Sequence, residues 1–126
     1  MINIGIMQGR LLPRFNNRYQ AHPIQIWPSE FYIARELGFS SIEFILDYDQ
    51  VLKNPLMHDE GLHLIQDVIN KTNVTVNSIC ADYFMHAPFH SDYQSIFLKM
   101  HHKQSQLYQK NNHNFQILKL VFRYQN

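Results

Sequence analysis

The chain opens on a short apolar run that ends in polar residues, and this pattern constrains the fold more than any other. Residues 2–12 read INIGIMQGRLL, with apolar side chains on both faces of an extended strand. Such a pattern is typical of a parallel strand that is covered on both sides. Gly9 permits a sharp exit from the strand, which leaves Gln8 and Arg10 where the strand meets a loop. In parallel α/β proteins this position carries the chemistry.

Strand and helix patterns alternate along the first two thirds of the chain. Strands are predicted over residues 2–8, 40–46 and 74–81, and helices from Trp27 to a C-cap at Gly38 and over residues 58–71. Strands that alternate with helices of this length form βαβ units. The sequence therefore predicts an α/β fold whose three strands are parallel, in sequential order, with right-handed crossovers.

Each predicted strand ends in polar side chains: Gln8 and Arg10 after the first, Glu43 and Asp47 in and after the second, and Asp82 after the third. The carboxyl ends of parallel strands share one rim, so we expect these groups to lie near one another. Glu43 is the most informative, because a charge inside an apolar strand is costly unless it is paired or faces a polar cavity. The alternative is a structural ion pair of Glu43 with Arg10 or Arg35.

Composition limits the classes of function. The 126 residues suffice for one domain or part of one, and a hydrophobic content of 45% can supply a core. A formal net charge of +1 gives no general attraction to nucleic acid or membranes. The lone Cys80 favours a reducing compartment. No apolar run approaches the roughly 20 residues that span a bilayer, so we expect a cytoplasmic protein.

At this point the residues resemble a known family. The opening run is similar to that of the xylose-isomerase-like TIM barrels, which include sugar-phosphate isomerases and epimerases and have endonuclease IV as a relative. The resemblance covers about residues 2–89. It rests on the order and spacing of several short motifs: IGIMQGRL from Ile4, Gln20, Pro23, Trp27, Glu30-Phe31, Ala34, Gly38-Phe39, Ile42-Glu43, Asn54-Pro55-Leu56 and SICADYFM from Ser78.

The resemblance implies a fold, a reaction and a set of site residues for the chain. Residues 1–92 would form about three to four of the eight βα units of a TIM barrel. The parent reaction would move a proton next to a carbonyl of a sugar or sugar phosphate, assisted by a divalent metal (Mn, Mg or Zn). The matching positions imply Glu43 as the catalytic base and Gln8, Arg10 and Asp82 as substrate-binding residues. The family's metal ligands lie mostly on later strands, so none is assigned, and no cofactor or activity is expected of this fragment alone.

Two other functions remain open. The chain is in one case an inactive remnant, or a half-barrel that requires a partner chain. In the other it is an endonuclease-IV-like phosphodiesterase, which would need metal-binding histidines at the ends of the early strands. Those positions hold Gly9, Asp47 and Asp82 instead.

The last 34 residues differ from the rest. Residues 1–92 carry 6 basic and 10 acidic groups, whereas residues 93–126 carry 5 basic and none acidic. Amino acids whose codons begin with G (Gly, Ala, Val, Asp, Glu) occur 22 times before residue 93 and once after it, as Val121. This contrast indicates the frameshifted end of a truncated gene. The alternative is a divergent basic tail that forms a helix and then a strand.

A half-barrel leaves apolar surface and sheet edges without partners. Ile4, Ile6, Phe44 and Ile79 are expected to face the barrel interior, where the missing strands would cover them. Open edges present unpaired backbone groups, so we expect self-association through them. Cys80 is expected to be a core residue, and His86 and His90 are interpreted as loop histidines, since Pro88 argues against a helix between them.

Overall fold

The computed structural model describes residues 2–83, which form a small α/β unit. Its elements in chain order are strand β1 (Gly5–Met7), helix α1 (Trp27–Leu37), strand β2 (Ser41–Ile45), two short 3-10 turns (Val51–Lys53 and Pro55–Met57), helix α2 (Asp59–Thr72) and strand β3 (Thr75–Cys80). Each predicted strand and helix is present, with β1 shorter than expected. The predicted domain boundary at residue 92 and the tail, residues 93–126, lie outside the described residues.

The three strands form one parallel sheet in the order β1-β2-β3. Met7 lies beside Glu43, and Glu43 lies beside Ser78. The register between β2 and β3 shifts between Ser41 and Glu43, as at a β-bulge. The prediction of an α/β fold with parallel strands in sequential order is confirmed, and closure into a TIM barrel stays a prediction.

The hydrophobic core lies between the sheet and the two helices. It contains side chains from both helices and from β2, β3 and the residues beside them. The helix residues are Trp27, Phe31 and Ala34 of α1 and Leu62, Ile65 and Val68 of α2. Phe44 and Ile79 are buried in this core. The expectation that they face the barrel interior is therefore wrong for these two residues, because the strand alternation turns them toward the helices. Ile6 also packs against this core, whereas Ile4 is 52% exposed.

The strand residues that alternate with these core residues lie on the other face of the sheet, away from the helices. Ile42 and Phe44 face the helices, so Glu43 between them points away from the helices. The side chain of Glu43 is half-buried and contacts Ser78, which also lies outside the helix-facing core. In a closed barrel this face would be the interior.

Local sequence signals set the helix ends. Pro28 stands in the first turn of α1, and Gly38 ends the helix in the left-handed conformation (φ 85°), as expected for a glycine C-cap. His58 caps α2 through Nδ1, which accepts a hydrogen bond from the Gly61 amide, and Asn73 ends it with φ 59°. Within residues 2–83, neither helix has the length and apolar content needed to cross a bilayer.

Gly61 permits the close approach of α2 to the turn at Pro55. A Cβ at Gly61 would overlap the backbone carbonyl and Cα of Pro55. We expect Gly61→Ala to lower the free energy of unfolding by about 1–3 kcal/mol, because backbone rather than a flexible side chain must move. A denaturant melt checks this. His63→Ala, at an exposed position of the same helix, is the control and should change stability by under about 0.5 kcal/mol. Equal melts for the two variants would contradict the packing argument.

Candidate functional site

A polar cleft lies where β2 and β3 end. Its lining consists of Asn16, Arg18, Asp47, Tyr48, Asp49 and Asp82, and its volume is about 220 Å³. We call it the rim cleft. Asp47–Asp49 follow β2 and Asp82 follows β3, so the cleft occupies the carboxyl edge of the sheet, where open parallel sheets bind ligands.

The long loop between β1 and α1 (residues 8–26) supplies the opposite wall of the rim cleft. Phe15 and Arg18 form an antiparallel bridge, and the two residues between them have positive φ, 50° at Asn16 and 61° at Asn17. Two left-handed residues in succession make a tight hairpin turn. The turn brings Asn16 Nδ2 to 3.3 Å from Asp49 Oδ2, and Arg18 Nη2 to 3.1 Å from Asp47 Oδ2.

Asp47 is held from two sides. Its Oδ2 atom accepts hydrogen bonds from the backbone amide of His22 (2.9 Å) and from Arg18 Nη2, with the Asp47 side chain 9% exposed and that of Arg18 44% exposed. This is the one ion pair among the described residues. Asp47 is thus fixed in place, while the Arg18 side chain remains partly exposed to solvent.

Gln8, a predicted substrate-binding residue, is fully buried. Its Oε1 atom accepts a hydrogen bond from the Ile45 amide (2.9 Å) and lies 3.1 Å from His22 Nδ1. Since an amide oxygen can only accept, Nδ1 of His22 carries the proton. In the described part of the chain Gln8 therefore joins β1, β2 and the loop, and its side chain is not in the lining of the rim cleft.

His22 is a neutral core residue. Its ring lies 5.2 Å from that of Phe44 and 6.4 Å from that of Trp27, and the residue is 2% exposed. Burial lowers the pKa of His22 to about 4. The Nε2 atoms of His22 and Gln8 have no hydrogen-bond partner in the structure. Charging the ring would thus place a cation among apolar groups.

Glu43, the predicted catalytic base, accepts a hydrogen bond from Ser78 Oγ at 2.8 Å. The structure shows no ion pair between Glu43 and Arg10 or Arg35 among the described residues. Arg10 is exposed and lies outside the rim-cleft lining. The sequence predicts Arg10 near the carboxylates. The arginine that lies there in the structure is Arg18, which contacts Asp47.

Asp82, the remaining predicted residue, lines the rim cleft. Gln20 Nε2 donates to its Oδ2 atom at 3.0 Å, and the Cys80 thiol donates to Oδ1 at 3.2 Å. The structure therefore brings Asp82 and Asp47 to the rim cleft together. Burial first, and the Asp82 carboxylate second, raise the pKa of Cys80 to about 12, so the thiol acts as a hydrogen-bond donor.

We expect Cys80 to react slowly with thiol reagents. With its pKa near 12, the reactive thiolate at pH 8 is roughly 1,000-fold scarcer than for an ordinary cysteine. The rate of labelling by a chromogenic disulfide, followed at pH 8, should be at least about 100-fold slower than in denaturant. Asp82→Asn should raise the rate, because it removes the neighbouring charge, whereas Asp67→Asn on α2 should not. A native rate close to the denatured one would contradict this assignment.

Glu30 is the buried acid that the sequence pattern did not identify. Its Oε1 and Oε2 atoms accept hydrogen bonds from the Gly9 amide at 2.8 and 2.9 Å, and Oε1 accepts another from the Leu11 amide at 3.1 Å. Burial raises the pKa of Glu30, and the backbone amides of Gly9, Leu11 and Arg10 lower it in part. Glu30 thus fixes the start of the loop whose later residues wall the rim cleft.

Sequence reasoning missed the loop residues that line the rim cleft, Asn16 and Arg18, and those that hold its carboxylates, Gln20 and His22. The consecutive asparagines at 16 and 17 are a signal for a tight turn, since asparagine tolerates positive φ. Within residues 2–83, no group of three His, Cys, Asp or Glu side chains is placed to hold a metal ion. No protein-family model matches the chain, and no curated protein matches it.

Proposed function

We propose that the chain is the N-terminal part of a sugar-phosphate isomerase or epimerase of the xylose-isomerase-like TIM-barrel type. The observation that carries the proposal is the convergence of carboxylates after successive parallel strands, with Asp47 and Asp82 in one cleft. A barrel site is assembled in this way, from the ends of several strands. The orientation of Glu43 away from the helices adds support, since a barrel base must face the interior.

The described residues define what this chain would contribute to the reaction. Glu43 is a carboxylate within the face that becomes the barrel interior, and Ser78 holds its Oε2 atom by a hydrogen bond. A positioned carboxylate of this kind can take a proton from the carbon next to a carbonyl. Arg18 and Asp82 supply a donor and an acceptor for substrate oxygens at the rim. No step is assigned to a metal, because no ligand group is placed for one within residues 2–83.

The proposal includes the state of the isolated chain. Within the described residues β1 and β3 are the outer strands of the sheet. Their outer edges invite pairing with another chain, and we propose self-association or a partner half-barrel in a cytoplasmic setting. Turnover by this chain alone is not expected, since the remaining βα units of the proposed barrel would carry the rest of the site.

Fragment complementation tests the proposed function. The 126-residue chain is mixed with the separately produced C-terminal half of a sugar-phosphate isomerase barrel and assayed on ketose phosphates with Mn²⁺ or Mg²⁺. We expect activity in the mixture and none in either half, together with a mass in solution that shows association. A mixture no more active than its parts would contradict the proposal.

Glu43→Gln is the matched variant in the same assay. Removal of a general base typically costs about 10²–10⁴-fold in rate, and we expect a loss in this range, with association of the halves unchanged. Glu36→Gln, on the exposed side of α1, is the control and should retain full activity. If the Glu43 variant kept full turnover, Glu43 would not be the catalytic base, and the proposed fold would be unaffected.

A further inference from the structure

We propose that residues 13–20 form a strap that closes the rim cleft and lifts away from it as a unit while the rest of the chain stays folded. The inference goes beyond the proposed function, because it concerns access to the cleft and holds for any ligand that enters there. It follows from the pairing of strap donors with rim carboxylates, the fixed ends of the strap, and the exposure of its middle.

Each of the three carboxylates that line the rim cleft accepts a hydrogen bond from one residue of the strap. The contacts, each from a side-chain N–H group to a carboxylate oxygen, are Asn16–Asp49 at 3.3 Å, Arg18–Asp47 at 3.1 Å and Gln20–Asp82 at 3.0 Å. The donors occupy alternate positions of the loop, and their partners follow the neighbouring strands β2 and β3. A ligand that binds these carboxylates therefore competes with the strap for them.

Both ends of the strap are fixed to the body of the protein. On the N-terminal side, the amides of Gly9 and Leu11 donate to the buried Glu30 carboxylate. On the C-terminal side, Ala21 and His22 are buried. The two ends lie side by side, since a Cβ at Gly9 would stand 2.7 Å from the Ala21 carbonyl oxygen. A loop whose ends are fixed and adjacent can rotate about them as one piece.

The middle of the strap is held by polar contacts near the surface. Within residues 2–83, the hydrophobic core and the side chains packed against it include no residue of the strap. Asn16 and Arg18 are exposed, and exposed polar pairs contribute little individually because water competes for the same groups. Segments with few buried apolar contacts open at a lower free energy than the folded unit as a whole. The strap therefore opens before the sheet and helices unfold.

Contacts inside the strap preserve its shape when it lifts. The guanidinium carbon of Arg14 lies 3.8 Å from the centre of the Tyr19 ring, and Arg14 Nη2 donates to the Tyr19 hydroxyl. The Arg18 amide donates to the Phe15 carbonyl oxygen at 3.0 Å. These contacts cross the hairpin turn and join its two sides. The strap thus moves as a hairpin, and its lifting frees the rim carboxylates and the strap donors together.

The single cysteine, Cys80, reports the opening, since the strap contacts it. Gln20 Nε2 lies 3.7 Å from Cys80 Sγ, and burial is the main cause that raises the pKa of this thiol. Lifting the strap removes Gln20, hydrates the thiol and increases its reactivity.

The experiment measures the labelling rate of Cys80 by a chromogenic disulfide at pH 8 in the full 126-residue chain, between 0 and about 1 M urea. We expect a rate that hardly changes with urea, because a local opening exposes little new surface. Labelling that required global unfolding would instead rise steeply with urea, since the slope follows the surface exposed.

Asn16→Asp is the deciding variant. It keeps the size of the side chain and its tolerance of positive φ, but it sets a carboxylate against Asp49 and turns an attraction into a repulsion. We expect Cys80 to react at least about fivefold faster, as the loss of one surface contact allows. If the strap stayed closed, the added negative charge would raise the pKa of the thiol and slow the reaction. The sign of the change therefore separates the two cases.

Asn17→Asp is the matched control. It adds the same charge to the same turn at an exposed residue, and in the described part of the chain the contacts with the rim carboxylates come from other residues of the strap. Its labelling rate should stay within about twofold of the parent rate.

Arg18→Gln is a second variant that applies even if Asn16→Asp does not fold. It removes the ion pair with Asp47, and we expect labelling at least about threefold faster, although the loss of a cation by itself would slow the reaction. Urea melts of every variant show whether an acceleration reflects lost global stability. Slower or unchanged labelling in both variants, an equal acceleration by Asn17→Asp, or a parent rate that rises with urea as steeply as global unfolding would each overturn the inference.

Discussion

Replacement of Glu30 by alanine is expected to cost about 3–5 kcal/mol of unfolding free energy, the largest effect of any single substitution considered. Glu30 is fully buried and accepts hydrogen bonds from the amides of Gly9 and Leu11. Each buried donor left without an acceptor costs roughly 1–3 kcal/mol, and the cavity adds to this. Against a typical domain stability of about 5–15 kcal/mol, the loss brings the chain close to unfolding.

The backbone conformation at Gly9 helps to aim the amides of the loop at the Glu30 carboxylate. The backbone at Gly9 has φ 90°, and an added Cβ would crowd the carbonyl oxygens of Ala21 and Tyr19. This conformation, which favours glycine, turns successive amides toward one point, as in an anion-binding nest. The Glu30 carboxylate is therefore an internal anion for that nest.

The measurement is a urea melt of the parent chain, Glu30→Ala and Glu36→Ala. The control residue lies on the exposed side of the same helix, and its replacement should cost under about 0.5 kcal/mol. Sodium formate should partly restore the stability of Glu30→Ala, because formate carries a carboxylate small enough for the vacated space, and sodium chloride at equal ionic strength should not. A loss under about 1 kcal/mol for Glu30→Ala would contradict the proposed role.

The parallel sheet was predictable because its signals are local. Each strand is a short apolar run between turn residues, and each helix carries its own cap, as at Pro28 and Gly38. The same pattern identified Asp82 as a residue of the rim, since the position directly after a parallel strand is fixed by the fold.

The face that each strand residue occupies was less predictable. Phe44 and Ile79 were expected in the barrel interior but pack against α1 and α2. A buried parallel strand is apolar on both faces, so hydrophobicity alone does not tell the helix side from the interior. The half-buried Glu43 distinguishes the two faces more clearly. Its charge disfavours the helix-facing core, so Glu43 lies on the other face, and its neighbours Ile42 and Phe44 face the helices.

The long loop was not predictable from composition. Its contacts join residues that are far apart in sequence, such as Gln20 with Asp82 and Arg18 with Asp47. They depend on a turn at Asn16 and Asn17, and periodicity gives no information about a segment without regular structure. The sequence predicts Arg10 at the rim because it directly follows the first strand, whereas the fold brings Arg18, eight residues later, back to the rim.

Acidification between pH 6.5 and 4 is expected to remove about 3 kcal/mol of stability through His22. The pKa of this ring is about 4 in the folded chain against an ordinary value of 6.5. The unfolded state therefore binds more protons in this window, and stability falls as pH falls. Each unit of pKa difference corresponds to about 1.4 kcal/mol. The contribution is complete above pH 6.5 and is lost progressively as pH falls toward 4.

Melts at half-unit pH steps from 7.5 to 4 for the parent chain, His22→Gln and His63→Gln separate this contribution from those of the carboxylates. His22→Gln should lower stability at neutral pH, because it disturbs the contact with Gln8. It should also reduce the slope of the unfolding free energy against pH between pH 6.5 and 4, by the equivalent of about one proton. His63 is exposed on α2, and its replacement should leave the slope unchanged. If His22→Gln kept the parent slope, the neutral ring would not be the source of the acid sensitivity.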